Sequence, residues 1–335
     1  MTAAATVLAL TWLGVTAYAL LGGADFGGGF WDLVAGTARG GAEQRALIEH
    51  SIAPVWEANH TWLIFVLVIL WTGFPLVFAS VASTLVIPFT LAALGIIARG
   101  SAFAFRKSVP MPAWQQVFGA AFALSSVMTP FFLGTIAGAV ASGRVPPGNA
   151  RGDLVGSWWN PTSVLGGVLA VGVCAYIAAV FLTVDARRTG EQELAEAFRR
   201  RAIVTALVVG AVALAGIAVL HADAPELFTG LTGRALPLIV LSALAGLASL
   251  VLLVVRRYRG VRVTAAVAVA AVVWGWGAAQ YPVLLEPDVT LSDAAAPPAV
   301  MSALLVTIIA GSALLLPSLW LLFVLFPRQA EEPGR

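Results

Sequence analysis

Three ionisable residues lie inside long apolar segments of this sequence: Asp25, Glu57 and Arg99. A charged side chain at membrane depth is costly unless it is paired with another charge or hydrated, so such residues usually serve a function. Carboxylates there can carry protons, and an arginine beside them can form a buried ion pair. We therefore expect a proton pathway, an ion pair, or both. The long Arg99 side chain can reach either carboxylate.

Two local motifs surround the carboxylates. Five glycines lie around Asp25, between Gly22 and Gly29. In a membrane helix such glycines let a neighbouring backbone approach closely, so this stretch predicts a tight interhelical seam. In the second motif, Glu49, Glu57 and His60 fall on one helix face at about 100° per residue. They predict a polar stripe that climbs toward the membrane interior.

The composition indicates the elements that must position these residues. Of 335 residues, 60% are hydrophobic and only 11% are charged. Apolar runs of about 20 residues, the length that crosses a bilayer, recur from end to end. We predict an all-α polytopic membrane protein with one integral membrane domain, 1–335, and nine spans. The spans are predicted near 4–30, 48–72, 76–98, 114–141, 162–184, 202–221, 236–255, 262–284 and 301–326. A tight hairpin at Gly73, Phe74 and Pro75 is expected between the second and third spans.

Basic residues are distributed unevenly between the loops. Of the 19 lysines and arginines, fifteen lie in loops that follow odd-numbered spans or in the C-terminus. Three lie in the opposite loops, and Arg99 lies within a span. Because positive charge favours the cytoplasmic side, the N-terminus is predicted outside and the C-terminus in the cytoplasm. Spread next to anionic headgroups, this charge explains the basic isoelectric point without a nucleic-acid partner.

Ligands for metals are scarce in the sequence. Cys174 is the single cysteine and lies in an apolar run, so it is predicted to be a small buried hydrophobic residue. The histidines are His50, His60 and His221. His60 has a plausible depth for a haem ligand, but a lone histidine beside a carboxylate is more often a hydrogen-bonded structural group. We expect no metal site and no firmly bound haem in this chain.

Four sequence blocks occur in the order typical of one known family. They are the glycine-rich segment around Asp25, the block 52–62 with the sequence IAPVWEANHTW, the turn FPLV at 74–77, and the segment RGSAFAFR at 99–106. On these blocks the chain resembles subunit II of the cytochrome bd-type terminal oxidases. The resemblance is specific over the first third of the chain and continues as span spacing. Where the family commonly has Trp-Asp-Gly-Asn, this chain has WEAN at 56–59, which is typical of a divergent branch.

The resemblance implies a fold and an activity. The nine helices are expected to form two four-helix bundles plus one peripheral helix. The subunit is expected to pair, in the bacterial plasma (inner) membrane, with a homologous subunit I that carries haems b558, b595 and d. That complex oxidises quinol and reduces dioxygen to water, and subunit II is not catalytic alone. A small single-span accessory subunit, membrane lipids and a structural quinone are further expected partners.

The resemblance and the polar stripe together predict two groups of site residues. The predicted proton pathway consists of Glu57, Asp25, Glu49 and His60. A structural ion pair, or a contact to quinone or lipid, is predicted for Arg99, Trp56 and Asn59.

A second function class also uses intramembrane carboxylates. A stand-alone proton-coupled secondary transporter would require discontinuous helices and a substrate cavity at the midplane. Glycines and Pro54 interrupt the first two spans, but no matching interrupted pair occurs later in the sequence. The oxidase hypothesis is therefore the favoured one, and copurification of a haem-bearing chain discriminates the two.

Overall fold

The computed structural model describes residues 2–35, 39–52, 56–106 and 112–329, and these are almost entirely helical. The α-helices are α1 Ala3–Ala17, α2 Gly23–Val34, α3 Arg39–Ile52, α4 Trp56–Gly73, α5 Pro75–Thr84, α6 Val86–Arg106, α7 Pro112–Ala141, α8 Pro161–Arg188, α9 Gln192–Asp223, α10 Pro225–Thr232, α11 Leu236–Val254, α12 Val261–Gln280, α13 Leu291–Ala294 and α14 Pro298–Gln329. A π-helical turn, Tyr18–Gly22, joins α1 to α2. A small antiparallel hairpin pairs β1, Val283–Leu285, with β2, Val289–Thr290. The predicted all-α class is confirmed.

The helices are long and apolar enough for a polytopic membrane protein. Within the described residues, eight helices can cross a bilayer by length and composition, and α1, the π-helical turn and α2 together count as one of them. A ninth crossing is present if α4 and α5, which are bent by 117° relative to each other, count as one broken span. This agrees with the nine predicted spans.

The third predicted span differs from the structure at its start. Instead of one helix from 76 to 98, the chain forms α5, which ends at Thr84, and then α6, which begins at Val86. Pro75 lies in the first turn of α5, where its missing N–H has no helical partner to lose. The predicted hairpin is therefore a sharp bend followed by a short helix. Arg99 lies well inside α6.

Helix α2, which carries Asp25, packs between two long helices. It contacts both α7 and α8, while α6 packs along α7 and α8 packs along α9. The preceding helix, α1, packs against α4, α12 and α14. Thus α1 and α2 pack against different helices, although the π-helical turn joins them into one candidate span. The division into two four-helix bundles and a peripheral helix stays a prediction.

Glycines explain how α2 fits between its neighbours. A Cβ at Gly27 would collide with the backbone carbonyl of Cys174 on α8. A Cβ at Gly29 would collide with the Ser126 side chain on α7. The predicted glycine seam is therefore confirmed, and it holds the Asp25 backbone close to α7 and α8.

Candidate functional site

Arg99 and Asp25 form a buried ion pair between α6 and α2. Arg99 Nη1 donates to Asp25 Oδ2 at 2.7 Å, and Nη2 donates to Oδ1 at 2.7 Å. Nη2 also donates to the Asp25 carbonyl oxygen at 3.1 Å. Only 1% of Arg99 and 2% of Asp25 are exposed. Bidentate pairs of this kind combine charge with fixed geometry and are among the strong hydrogen bonds of proteins.

Further contacts complete the surroundings of the guanidinium. Arg99 Nε donates to Ser126 Oγ at 2.8 Å, and that hydroxyl donates to the Phe122 carbonyl at 2.7 Å. The guanidinium carbon lies 4.6 Å from the Phe122 ring centroid and 5.1 Å from that of Phe26. All three guanidinium nitrogens therefore donate hydrogen bonds, and two aromatic rings shield the charge.

The π-helical turn brings the second span against the first. Asn59 on α4 is 3% exposed and donates from Nδ2 to the carbonyl of Leu21 at 3.3 Å. Leu21 lies within the turn Tyr18–Gly22. Single π-helical turns inside α-helices are frequent at functional sites. The contact of Asn59 in the structure is thus to this turn.

An aromatic cluster adjoins the ion pair. The Phe26 ring lies 6.3 Å from the Tyr18 ring and 6.0 Å from the His60 ring, edge-on to both. The Tyr18 and His60 rings are 6.2 Å apart. Two buried polar atoms of this cluster, Tyr18 Oη and His60 Nδ1, make no hydrogen bond to the residues that the structure describes. His60 lies in the neighbourhood of the ion pair, because the Phe26 ring that it contacts also faces the Arg99 guanidinium.

For the other members of the predicted site, the structure describes only part of the geometry. The side chains of Trp56 and Glu57 lie outside the described residues, although both residues belong to α4. Glu49 is half-buried on α3 and takes part in an interaction. The predicted common face of Glu49 and Glu57 depends on the path of residues 53–55, which also lie outside the described residues.

A second buried carboxylate was missed by the sequence reasoning. Asp32 lies near the end of α2 and pairs with Arg45 on α3 at 2.7 Å, with only 5% of its side chain exposed. Nearby, Trp31 Nε1 donates to the Ala175 carbonyl at 2.8 Å. Asp32 follows Asp25 by seven residues, so it shares a helix face with it. That spacing was the signal available in the sequence.

The histidines and acids do not converge on a metal. Among the described residues, no three histidine, cysteine, aspartate or glutamate side chains come together as ligands. His50 is exposed on α3, and the His221 ring packs 4.8 Å from the Phe228 ring. Cys174 is a free, buried thiol.

Comparison with known proteins identifies the family of this chain. The family model described as "Cytochrome bd terminal oxidase subunit II" matches residues 3–326. The chain belongs to this family. It is 29% identical over 202 residues to cytochrome bd ubiquinol oxidase subunit 2 of Bacillus subtilis, which covers 59% of this chain and 57% of the relative. It is also 29% identical over 212 residues to cytochrome bd-I ubiquinol oxidase subunit 2 of Escherichia coli K12, covering 61% and 54%.

A solved structure extends the similarity to nearly the whole chain. A chain of the bd oxidase from Geobacillus thermodenitrificans matches with a TM-score of 0.77 and 27% identity. The match covers 97% of this chain and 99% of that one. The aligned regions of the two curated relatives, in contrast, span a little over half of their lengths. Family membership and the apolar helices make this a multi-pass protein of the bacterial inner membrane, and they favour the oxidase hypothesis over the transporter.

Proposed function

We propose that this subunit II chain works in a bd-type respiratory terminal oxidase, a quinol:oxygen oxidoreductase. Its partner is a homologous subunit I with haems b558, b595 and d, which supply the redox chemistry when bound there. The family match and the Geobacillus bd oxidase structure support the assembly. The names of both curated relatives support a quinol as electron donor. In this proposal the N-terminus is outside and the C-terminus cytoplasmic.

The second part of the proposal is that this chain delivers protons. Reduction of dioxygen to water consumes protons, and a carboxylate and a histidine at membrane depth can pass them on. The proposed order from the cytoplasm is Glu49, Glu57 and His60. The observation that supports a separate role for these groups is the bidentate Arg99–Asp25 pair, which lies close to His60 on the other side of the Phe26 ring. Because Asp25 already balances Arg99, the charge of Glu57 is not needed for that purpose.

Asp25 has a different role from the other acids in this proposal. Both of its carboxylate oxygens accept hydrogen bonds from Arg99. A proton on Asp25 would cancel the charge that balances Arg99 and leave a buried cation without its counter-ion. We therefore narrow the predicted pathway and propose Asp25 as a fixed anion that positions Arg99 and joins α2 to α6.

The remaining expectations also stay proposals. Trp56, at the start of α4, is proposed as a contact for quinone or lipid, as the sequence predicted. A small single-span accessory subunit is proposed as a further partner. Neither is needed for the division of roles between Glu57 and the ion pair.

Substitution of Glu57 by glutamine tests proton delivery. Glu57→Gln keeps the size and hydrogen bonding of the side chain but cannot titrate, so the complex should assemble with its haems. Oxygen consumption per haem in membranes should fall by at least about a hundredfold, the usual contribution of a positioned proton-transfer group. Normal consumption per haem would refute the relay.

Two variants serve as controls for that measurement. Glu57→Asp retains a titratable group and should keep a substantial part of the turnover. Glu193→Gln removes an exposed acid in the first turn of α9 and should leave the turnover unchanged. If Glu57→Gln instead lost the haems altogether, Glu57 would act in assembly.

A further inference from the structure

Two buried polar atoms beside the ion pair have no hydrogen-bond partner among the residues that the structure describes. They are the hydroxyl oxygen of Tyr18 and Nδ1 of His60. Their rings contact each other and the Phe26 ring, but the two atoms do not bond to each other. Buried polar groups in proteins almost always have a partner, and a buried tyrosine hydroxyl usually finds one. Two orphaned atoms in one cluster therefore point to a shared ligand.

The size and polarity of the cluster restrict that ligand. An internal water typically makes two to four hydrogen bonds to polar groups that would otherwise be unsatisfied. A hydroxyl and an imidazole nitrogen offer one rotatable donor and one nitrogen that donates or accepts, depending on its tautomer. The Tyr18 and His60 ring centroids lie 6.2 Å apart, a separation that one bridging water can span. The Phe26 ring packs edge-on against both residues and offers no polar atom to a ligand.

The local backbone explains why Tyr18 is in this position. Tyr18 begins the π-helical turn, and Asn59 holds that turn by donating to Leu21. Asn59 directly precedes His60, so one short segment of α4 fixes the turn and places the imidazole. A π-helical turn changes the direction of the side chains that it carries. The same bulge thus brings Tyr18 toward the second span.

We propose that Tyr18 and His60 together bind one internal water, and that Tyr18 is a positioning residue that holds this water on His60 Nδ1. The water fixes which imidazole nitrogen carries the proton, a choice that is set by the partner of the other nitrogen. The role in turnover rests on the proposed function of His60 in proton delivery, whereas the presence of the water does not. Tyr18 lies beyond Asp25 as seen from the cytoplasm, so the water extends the polar stripe inward.

A high-resolution cryo-EM map of the assembled oxidase tests the site itself. We expect density for one water at about 2.7–3.2 Å from both Tyr18 Oη and His60 Nδ1. An empty, well-resolved gap between these atoms would overturn the proposal. So would a direct hydrogen bond between them. This readout is independent of proton delivery.

Substitution of Tyr18 by phenylalanine tests the positioning role. Tyr18→Phe removes only the hydroxyl, so the water loses one of its two partners. Oxygen consumption per haem should fall at least about threefold, because a displaced proton carrier reacts more slowly. The pH at half-maximal turnover should also shift. Among the described residues, the charged or titratable groups that act on this cluster are Asp25 on α2, Arg99 on α6 and Cys174 on α8, and the substitution leaves all of them in place.

Tyr176→Phe is the matched control. The Tyr176 hydroxyl is buried on α8 and donates to Ser249 at 2.5 Å, away from the stripe. Its removal should leave the turnover per haem and the pH profile unchanged. Parental turnover and pH profile in Tyr18→Phe, with slow turnover in Glu57→Gln, would overturn the positioning role while the proposed function stands. Normal turnover in Glu57→Gln would refute proton delivery, and the map would still decide the water site.

Discussion

Among the arginine–aspartate pairs of the described residues, two bidentate ones invite comparison, Arg99–Asp25 at membrane depth and Arg144–Asp223 near helix ends. Arg99 and Asp25 are almost completely buried. Arg144 and Asp223 follow or end α7 and α9, with 31% and 16% of their side chains exposed. The chemistry of the two pairs is the same. They differ in what surrounds the charges when one partner is removed.

The surroundings of each pair determine how much stability is lost when its arginine is removed. Asp223 also accepts from the backbone N–H and the hydroxyl of Thr162, at 3.0 and 2.6 Å, and it is accessible to water. If Arg144 is lost, those groups still solvate the carboxylate. Among the described residues, the Asp25 carboxylate accepts hydrogen bonds from Arg99 alone. An ion pair at depth therefore acts as a unit whose halves cannot be removed separately.

The largest effect should follow from breaking the buried pair on one side. Arg99→Gln leaves Asp25 buried without its cation, a situation that costs about 3 to 5 kcal/mol. Since α2 and α6 then lose their main polar link, we expect little assembled oxidase in the membrane. Haem absorbance per milligram of membrane protein measures this loss.

The matched control for that variant removes both charges. Asp25→Asn combined with Arg99→Gln leaves no unpaired charge and retains hydrogen-bonding groups on both helices. Haem content should recover in the double variant relative to Arg99→Gln. A haem content equally low in both would mean that the helices need the charges themselves, against the comparison drawn here.

The outer pair should show a much smaller effect. Arg144→Gln should lower the stability by at most about 1 kcal/mol, because partly exposed ion pairs contribute little. Haem content and turnover should stay at the parental level, and the thermal midpoint of the purified complex should fall by about 2 °C at most. High salt should reduce even this difference, since water-accessible pairs are screened. A loss of haem as severe as in Arg99→Gln would remove the distinction between the two pairs.

The helical architecture was largely predictable because apolar length carries the signal. Runs of about 20 apolar residues indicate crossings whatever their packing partners. The glycine seam at Gly27 and Gly29 was predictable because close approach requires small residues. The break at Leu85 does have a signal in the sequence, because Pro88 lacks the N–H that would bond to the Thr84 carbonyl four residues earlier. A proline alone does not decide between a break and a continuous membrane helix, since α7 continues through Pro130.

The site was predictable in its charges but not in its neutral partners. The sequence indicated that Arg99 would meet a carboxylate, and the structure assigns Asp25. Ser126 and Phe122 come from α7, and nothing in the spacing of α6 identifies them. Tyr18 was missed because a π-helical turn shifts the helical phase and leaves no clear mark in an apolar segment. Partners set by helix packing thus require the folded chain.

The most direct test of the account is oxygen consumption per haem in the Asp25→Asn, Arg99→Gln double variant. In the proposed division of roles, the buried pair serves assembly, and Glu49, Glu57 and His60 deliver protons. Consumption per haem should therefore be near-parental in the double-variant complex that assembles, in contrast to Glu57→Gln. A decrease as large as that expected for Glu57→Gln would show that the pair itself carries protons, and would contradict this division of roles.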